Sequence, residues 1–187
     1  MNNLPLPFPV LETERLQLRP LKREDAPSLL ELYVHEEVTR FIDVQTLTRV
    51  EQAEALIAAM DAIYIHGSGL RWGVFSLEDG RLIGTCGFHD WNHKSYRAEI
   101  SYDLGQRYWG QGYMREALLS VLKFGYKTMS LHRIEALVDP ADKRSQNLLS
   151  GLGFTLEGVL RDHDFLKGSF QDDMVFAILR QDWTKSV

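Results

Sequence analysis

The chain of 187 residues has a single cysteine, Cys86. That excludes an internal disulfide framework. Its small and apolar neighbours Ile83, Gly84, Gly87 and Phe88 read as the surroundings of a buried core thiol, not of a nucleophile. No apolar run reaches the roughly 18 residues that a membrane-spanning helix needs. Met1 to Pro9 lack the basic-then-apolar order of a signal peptide, so the expected location is cytoplasmic. Positive charge is not in excess: 21 Lys and Arg stand against 26 Asp and Glu, a net charge of −5. This argues against a nucleic-acid partner and is compatible with attraction of a cationic one. The histidines (His35, His66, His89, His93, His132 and His163) are scattered without metal-ligand spacing, so no metal is expected. There is no repeat, low-complexity tract or Pro/Gly/Ser linker. With 44% hydrophobic residues, residues 1–187 are read as a single domain with a real core.

Leu16 and Leu18 alternate with Gln17 and Arg19 up to Pro20, which predicts a strand. Helices are expected from about Arg23 to His35 and from about Thr48 to Ile65, the second with one apolar stripe ending at Gly67. Three strands follow, over Arg71 to Leu77, Arg81 to Phe88 and Arg97 to Leu104, with a hairpin-type turn making this part antiparallel. A helix from about Tyr113 to Met129, a β-run from Arg133 to Val138 and a short helix from about Asp142 to Leu152 come next. Two final strands, about Thr155 to Leu166 and Gln171 to Leu179, flank Lys167-Gly168-Ser169. The fold class is α+β: one mixed sheet of about seven strands with about four helices.

The most informative segment lies between the strand ending at Leu104 and the helix starting at Tyr113. Arg107, Gly110 and Gly112 give R-x-x-G-x-G. Glycines let successive backbone N–H groups converge, and a helix start adds unpaired N–H groups and partial positive charge, so a pyrophosphate fits there. Arg107 or Arg115 can add a charged hydrogen bond. A dinucleotide fingerprint needs a third glycine where Arg115 stands, and the Gly-Lys-Ser/Thr of a P-loop is absent. A plain strand-to-helix turn is the alternative.

The run Ala98-Glu99-Ile100-Ser101-Tyr102-Asp103-Leu104, then Tyr108-Trp109-Gly110-Gln111-Gly112-Tyr113 and Glu116-Ala117, resembles the acetyl-CoA signature of the GNAT superfamily. It is most similar to the ribosomal-protein N-terminal acetyltransferases of the RimJ/RimL type. Leu11-Glu12-Thr13-Glu14-Arg15-Leu16, Arg133-Ile134-Glu135-Ala136 with Asp139-Pro140 and Ser145, and Leu156 to Arg161 agree in order, so the likeness spans nearly the whole chain. The resemblance implies a GNAT fold, a six- to seven-stranded sheet splayed at strands 4 and 5, opening after Leu104. Acetyl-CoA is the implied co-substrate. Its pantetheine arm is expected on the backbone of Tyr102, Asp103 and Leu104. Its pyrophosphate is expected on Gly110, Gln111, Gly112, Tyr113 and Met114, with Arg107, Trp109 and Ser145 in the same site.

Attack of an amine on a thioester needs a base, because an α-amino group titrates at about 7.7–8.0 and a lysine-type amine at about 10.4. It also needs a donor for the developing oxyanion, for which the family implies a backbone N–H near Leu104, and an acid for the departing thiolate. By resemblance Ser145 is the expected acid; a first-turn serine bonded to backbone is the alternative. Asp142 stands where the family has Asn and reads as a helix N-cap. Asp164 is the first candidate base, standing where RimL-type enzymes place a Glu, and regular alternation would set Asp162 beside it and His163 on the other face. Glu99 is the second, a carboxylate in a central strand; pairing with Arg97 or Arg71 is the alternative. His89 and Asp90 are expected near the acceptor pocket. The expected reaction is acetyl transfer to a primary amine, a protein N-terminal α-amine of the Ala/Ser type. The alternatives are a small-molecule amine (polyamine, aminoglycoside or amino-acid derivative) and a non-catalytic acetyl-CoA sensor. Either a monomer or a homodimer is compatible, with the final strand as a candidate edge.

Overall fold

The computed structural model describes residues 7–183. Its strands are β1 (Leu11–Glu12), β2 (Leu16–Arg19), β3 (Leu70–Ser76), β4 (Leu82–Asn92), β5 (Arg97–Leu104), β6 (Arg133–Val138), β7 (Thr155–Leu166) and β8 (Ser169–Leu179). Its helices are α1 (Ala26–Tyr33), α2 (Glu36–Thr39), α3 (Val50–Ile65), α4 (Tyr113–Lys127), α5 (Lys143–Gly151) and α6 (Arg180–Trp183). All strands join one sheet in the order β1-β2-β3-β4-β5-β6-β8-β7. Only β5 and β6 pair in parallel, and α4 makes the crossover between them. The sequence under-counted the elements because β1, α2 and α6 are too short to show a period.

One face of the sheet packs on α4. Met114, Ala117, Leu118, Val121 and Leu122 recur at helical spacing and meet Leu70, Trp72, Ile83, Phe88 and Ile134. Cys86 lies fully buried in this layer. Burial pushes its thiol up to about 12, the inert state expected for a core cysteine. The opposite face is covered only over its first half. There α1 and α3 bury Leu29, Leu32, Ala53 and Ile57 against Phe75 and Leu82. Beyond β5 that face has no helix on it among the described residues.

One expectation changes. The sheet does not open after Leu104: β5 and β6 pair only from Arg97 to Glu99, so they diverge before Ile100. The last strand could have been an exposed or a covered edge, and it is covered. β8 is held between β6 and β7, and β7 is the edge. No described helix is long and apolar enough to cross a membrane.

Leu118 is fully buried at the centre of the α4 contact. Leu118→Ala is expected to lower the unfolding free energy by about 2–5 kcal/mol, measured by urea titration. A loss under about 0.5 kcal/mol would show that α4 is not the keystone of that layer.

Candidate active site

Alternation along β5 sends its residues to two different places. Gly105 N–H donates to Ile83 O, and Leu104 lies opposite Gly84. In an antiparallel ladder the hydrogen-bonded positions alternate, so the main-chain groups of Asp103 and Ser101 face β4 while those of Tyr102 and Leu104 face away. On that side β6 has already diverged. The N–H and C=O of Tyr102 and the N–H of Leu104 are therefore open to an extended ligand. Leu104 O is the exception, accepting from Trp109 Nε1 at 2.7 Å.

The segment after β5 ends in a cradle of amides. Gly110 and Gly112 have φ of 73° and 81°, and Gly112 is the N-cap of α4. The first helical bond is Glu116 N–H to Gly112 O. The N–H groups from Gly110 to Arg115 have no partner among the described residues. A Cβ built on Gly110 would meet nothing within 4 Å. An open row of unpaired donors at a helix N-terminus is a diphosphate site by its physics.

The cradle is held by residues whose role the sequence did not reveal. Glu116, in the first turn of α4, accepts from Thr13 Oγ1 (2.6 Å), Arg15 N–H (2.9 Å) and Arg15 Nε (2.7 Å). Arg15 Nη1 also donates to Gln111 O at 3.1 Å, and its guanidinium lies 4.3 Å from the centre of the Tyr113 ring. The turn before β2 is thus tied to the loop it faces. An acidic residue one turn after Gly112 was the only hint.

Across the crevice, Asp142 caps α5 as expected, accepting from Ser145 N–H at 3.1 Å. Ser145 Oγ donates to the same carboxylate at 2.7 Å. Tyr102 hydroxyl reaches Ser145 O at 3.5 Å. Burial pushes the Tyr102 phenol well above its usual range, so it stays a donor. Nearer the phosphate end, the Arg144 guanidinium lies 3.7 Å from the centre of the Trp109 ring. Arg107 stacks on Tyr108, 4.9 Å away.

The Asp103 side chain points away from the crevice and takes no part in it. Its Oδ2 accepts from Tyr33 hydroxyl (2.7 Å), Thr85 Oγ1 (2.7 Å) and Arg71 Nη2 (2.6 Å), and Oδ1 accepts from Thr85 N–H (3.2 Å). Arg71 is engaged there, and Arg97 pairs with Glu135 at 3.1 Å. Neither arginine neutralises Glu99. Its neighbour is His89 Nε2 at 3.5 Å, and burial lowers the pKa of that imidazole. Burial first, then the carboxylates of Asp90, Glu135, Asp173 and Asp164, push Glu99 up to about 7.

Glu99 lines an open cavity of about 770 Å³ on the helix-free half of the sheet, with Asp90, Arg97, Glu135 and His163. Asp164 is not among the lining residues; its side chain is 64% exposed. The pairing of β7 and β8 shifts between Leu160 and Asp164, and Asp162 has φ of 50°. This bulge breaks the alternation that was expected to put Asp162 and Asp164 on one face. It presents His163 to the cavity instead.

An open strand, an amide cradle and an acidic cavity on the other face of the same strand are the parts of an acyl-transfer site. The acetyltransferase (GNAT) domain family matches residues 15–155. The chain belongs to the GNAT acetyltransferase family. The [ribosomal protein uS5]-alanine N-acetyltransferase of Escherichia coli is 30% identical over 181 residues, covering 93% of this chain and 92% of the relative. The spermidine N(1)-acetyltransferase of the same organism is 26% identical, covering 90% of this chain and 88% of the relative. RimJ of Mycobacterium smegmatis, solved with CoA-disulfide, superposes with a TM-score of 0.81 at 24% identity, covering 89% of this chain and 82% of that one, and so shares the fold. This GNAT protein is an N-acetyltransferase, and acetyl-CoA is the donor its family uses.

The cradle predicts the effect of Gly112→Glu. A side chain at φ 81° strains the turn, and its charge opposes a diphosphate. Acetyl-CoA affinity is expected to fall at least about a hundredfold by calorimetry, with the fold retained by circular dichroism. Unchanged affinity in a folded variant would remove the cradle from the donor site.

Proposed function

We propose that this enzyme acetylates the α-amine of a protein N-terminus, of the Ala/Ser type, with Glu99 as the base. The observation that carries the reading is the match between Glu99 and that amine. A carboxylate poised at about 7 takes a proton from an α-ammonium of about 7.7–8.0 at a cost of roughly one pKa unit. A polyamine or lysine-type ammonium near 10.4 is more than about three units away. The similarity to the uS5-alanine enzyme supports the same choice. The spermidine enzyme's similarity and the acidic lining of the cavity favour a polyamine as the second reading. A sensor without catalysis has no use for a half-buried carboxylate tuned to neutral pH.

Acetyl-CoA supplies the activated acyl group. The open N–H and C=O of Tyr102 and the N–H groups from Gly110 to Arg115 are suited to hold its extended arm and diphosphate. Glu99 accepts the ammonium proton from the cavity side. Leu104 N–H, aimed into the crevice, is the donor for negative charge on the carbonyl oxygen. Ser145 and Tyr102 stand together as proton sources for the leaving sulfur, Ser145 after turning from Asp142. Asp164, at the exposed rim, adds negative charge that draws the cation in.

Thiol release measured with acetyl-CoA and Ala- or Ser-initiated peptides, spermidine and an aminoglycoside tests the acceptor. Turnover with the peptides is expected, and turnover with spermidine alone would transfer the role to the second reading. Glu99→Gln is expected to lower kcat by about 10²–10⁴ with acetyl-CoA affinity unchanged. Because a base must be ionised, wild-type kcat/KM should fall as pH drops through about 7, and this limb should vanish in the variant. Asp164→Asn is expected to cost less than about tenfold; a larger loss than that of Glu99→Gln would reverse the assignment.

A further inference from the structure

The cavity holds a second constellation, made by the β7 bulge. Leu160 lies opposite Asp173 and Asp164 opposite Gln171, so Arg161, Asp162 and His163 are set against Asp172 alone. Asp172 Oδ1 accepts Asp162 N–H at 2.9 Å, which fixes the bulge. His163 then lines the cavity, with Nδ1 3.0 Å from Oδ2 of Asp173, a buried carboxylate on β8. A carboxylate at that distance selects the tautomer with its proton on Nδ1 and leaves the lone pair on Nε2. Nε2 has no partner among the described residues. A buried Asp aligning a His whose free nitrogen serves a polar cavity is an arrangement for accepting a hydrogen bond, not for packing.

We propose that His163, aligned by Asp173, is a second amine-holding residue: its Nε2 accepts a hydrogen bond from the acceptor nitrogen while Glu99 accepts the proton. The inference rests on the acceptor reading above. A primary ammonium has three N–H donors. Glu99 on the β5 wall takes one of these protons, and His163 on the β7 wall engages another without changing its own protonation. The nitrogen is thereby held with its freed lone pair turned from both walls. A protonated imidazole has no lone pair and repels the ammonium, so His163 acts only when neutral. The charged groups around it are Asp173 on β8, Asp164 on β7, Glu99 on β5, Glu135 on β6 and Asp90 at the end of β4. Arg97 and Arg133 offset Glu135, and Arg133 also pairs with Glu157.

The test is the KM for an Ala-initiated peptide at saturating acetyl-CoA, in wild type, His163→Gln and Asp173→Asn, with circular dichroism as the folding control. The peptide KM should rise about tenfold in both variants, with the KM for acetyl-CoA unchanged. Asp173→Asn keeps the side-chain shape and removes the alignment, so it carries the KM test even where His163→Gln fails to fold. An unchanged peptide KM in a folded variant overturns the role of His163 and leaves the acceptor reading standing. Absence of wild-type thiol release with the peptide, against release with spermidine, removes both.

Discussion

The site depends on how Asp103 is bound. This carboxylate is buried under the sheet and holds the second half of β5 to β4, β3 and α1 through Thr85, Arg71 and Tyr33 in turn. A buried charge is tolerated only when paired and hydrogen-bonded, and Asp103 has both. Burial works against the charge of Arg71, and the carboxylate beside it outweighs that cost. With β5 fastened to this side, its other edge is free to part from β6. The N–H and C=O of Tyr102 and the N–H of Leu104, left without a strand partner, are then accounted for if the proposed donor is their partner.

Parity on a single strand separates the crevice from the cavity. Even-numbered residues of β5 turn their backbone to the crevice, and odd-numbered ones turn their side chains to the opposite face. Glu99 is the last residue of β5 that pairs with β6. It therefore stands at the apex of the opening, where in the proposed reaction a thioester on one side would meet an amine on the other. Glu99 does not need to lie near the diphosphate cradle; the strand itself supplies the distance between binding and chemistry.

Much of this was legible in the sequence where the signal is local. The limits of β5, β6 and β7 are those that alternation predicts, and the Gly110/Gly112 turn announced itself because only glycine holds those φ values cheaply. What failed is what depends on partners far along the chain. The bulge of β7 sets three residues against Asp172 alone, is anchored by that carboxylate ten positions from Asp162, and interrupts the alternation within it. That is why His163 lines the cavity and not the face that regular alternation gives it. Likewise, Thr13 and Arg15 meet Glu116 about a hundred residues away, and no spacing rule reports such a contact.

The acidic cavity also weakens the fold that carries it. The folded value of Glu99 lies above its ordinary one, so the native state holds that proton more tightly than the unfolded chain. By linkage, the stability this contributes is present in full below the unfolded value of about 4.5 and is lost as pH rises through about 7. Once Glu99 is ionised, it contributes nothing to holding the protein together, and its neighbours Asp90, Glu135 and Asp173 repel it. The same burial that suits it to the proposed role of base makes it a poor structural residue. The cross-ties on either side of Glu99, Asp103 to Arg71 and Glu135 to Arg97 and Arg133, explain how the sheet accepts that strain: a carboxylate with no arginine beside it is flanked by carboxylates that are paired.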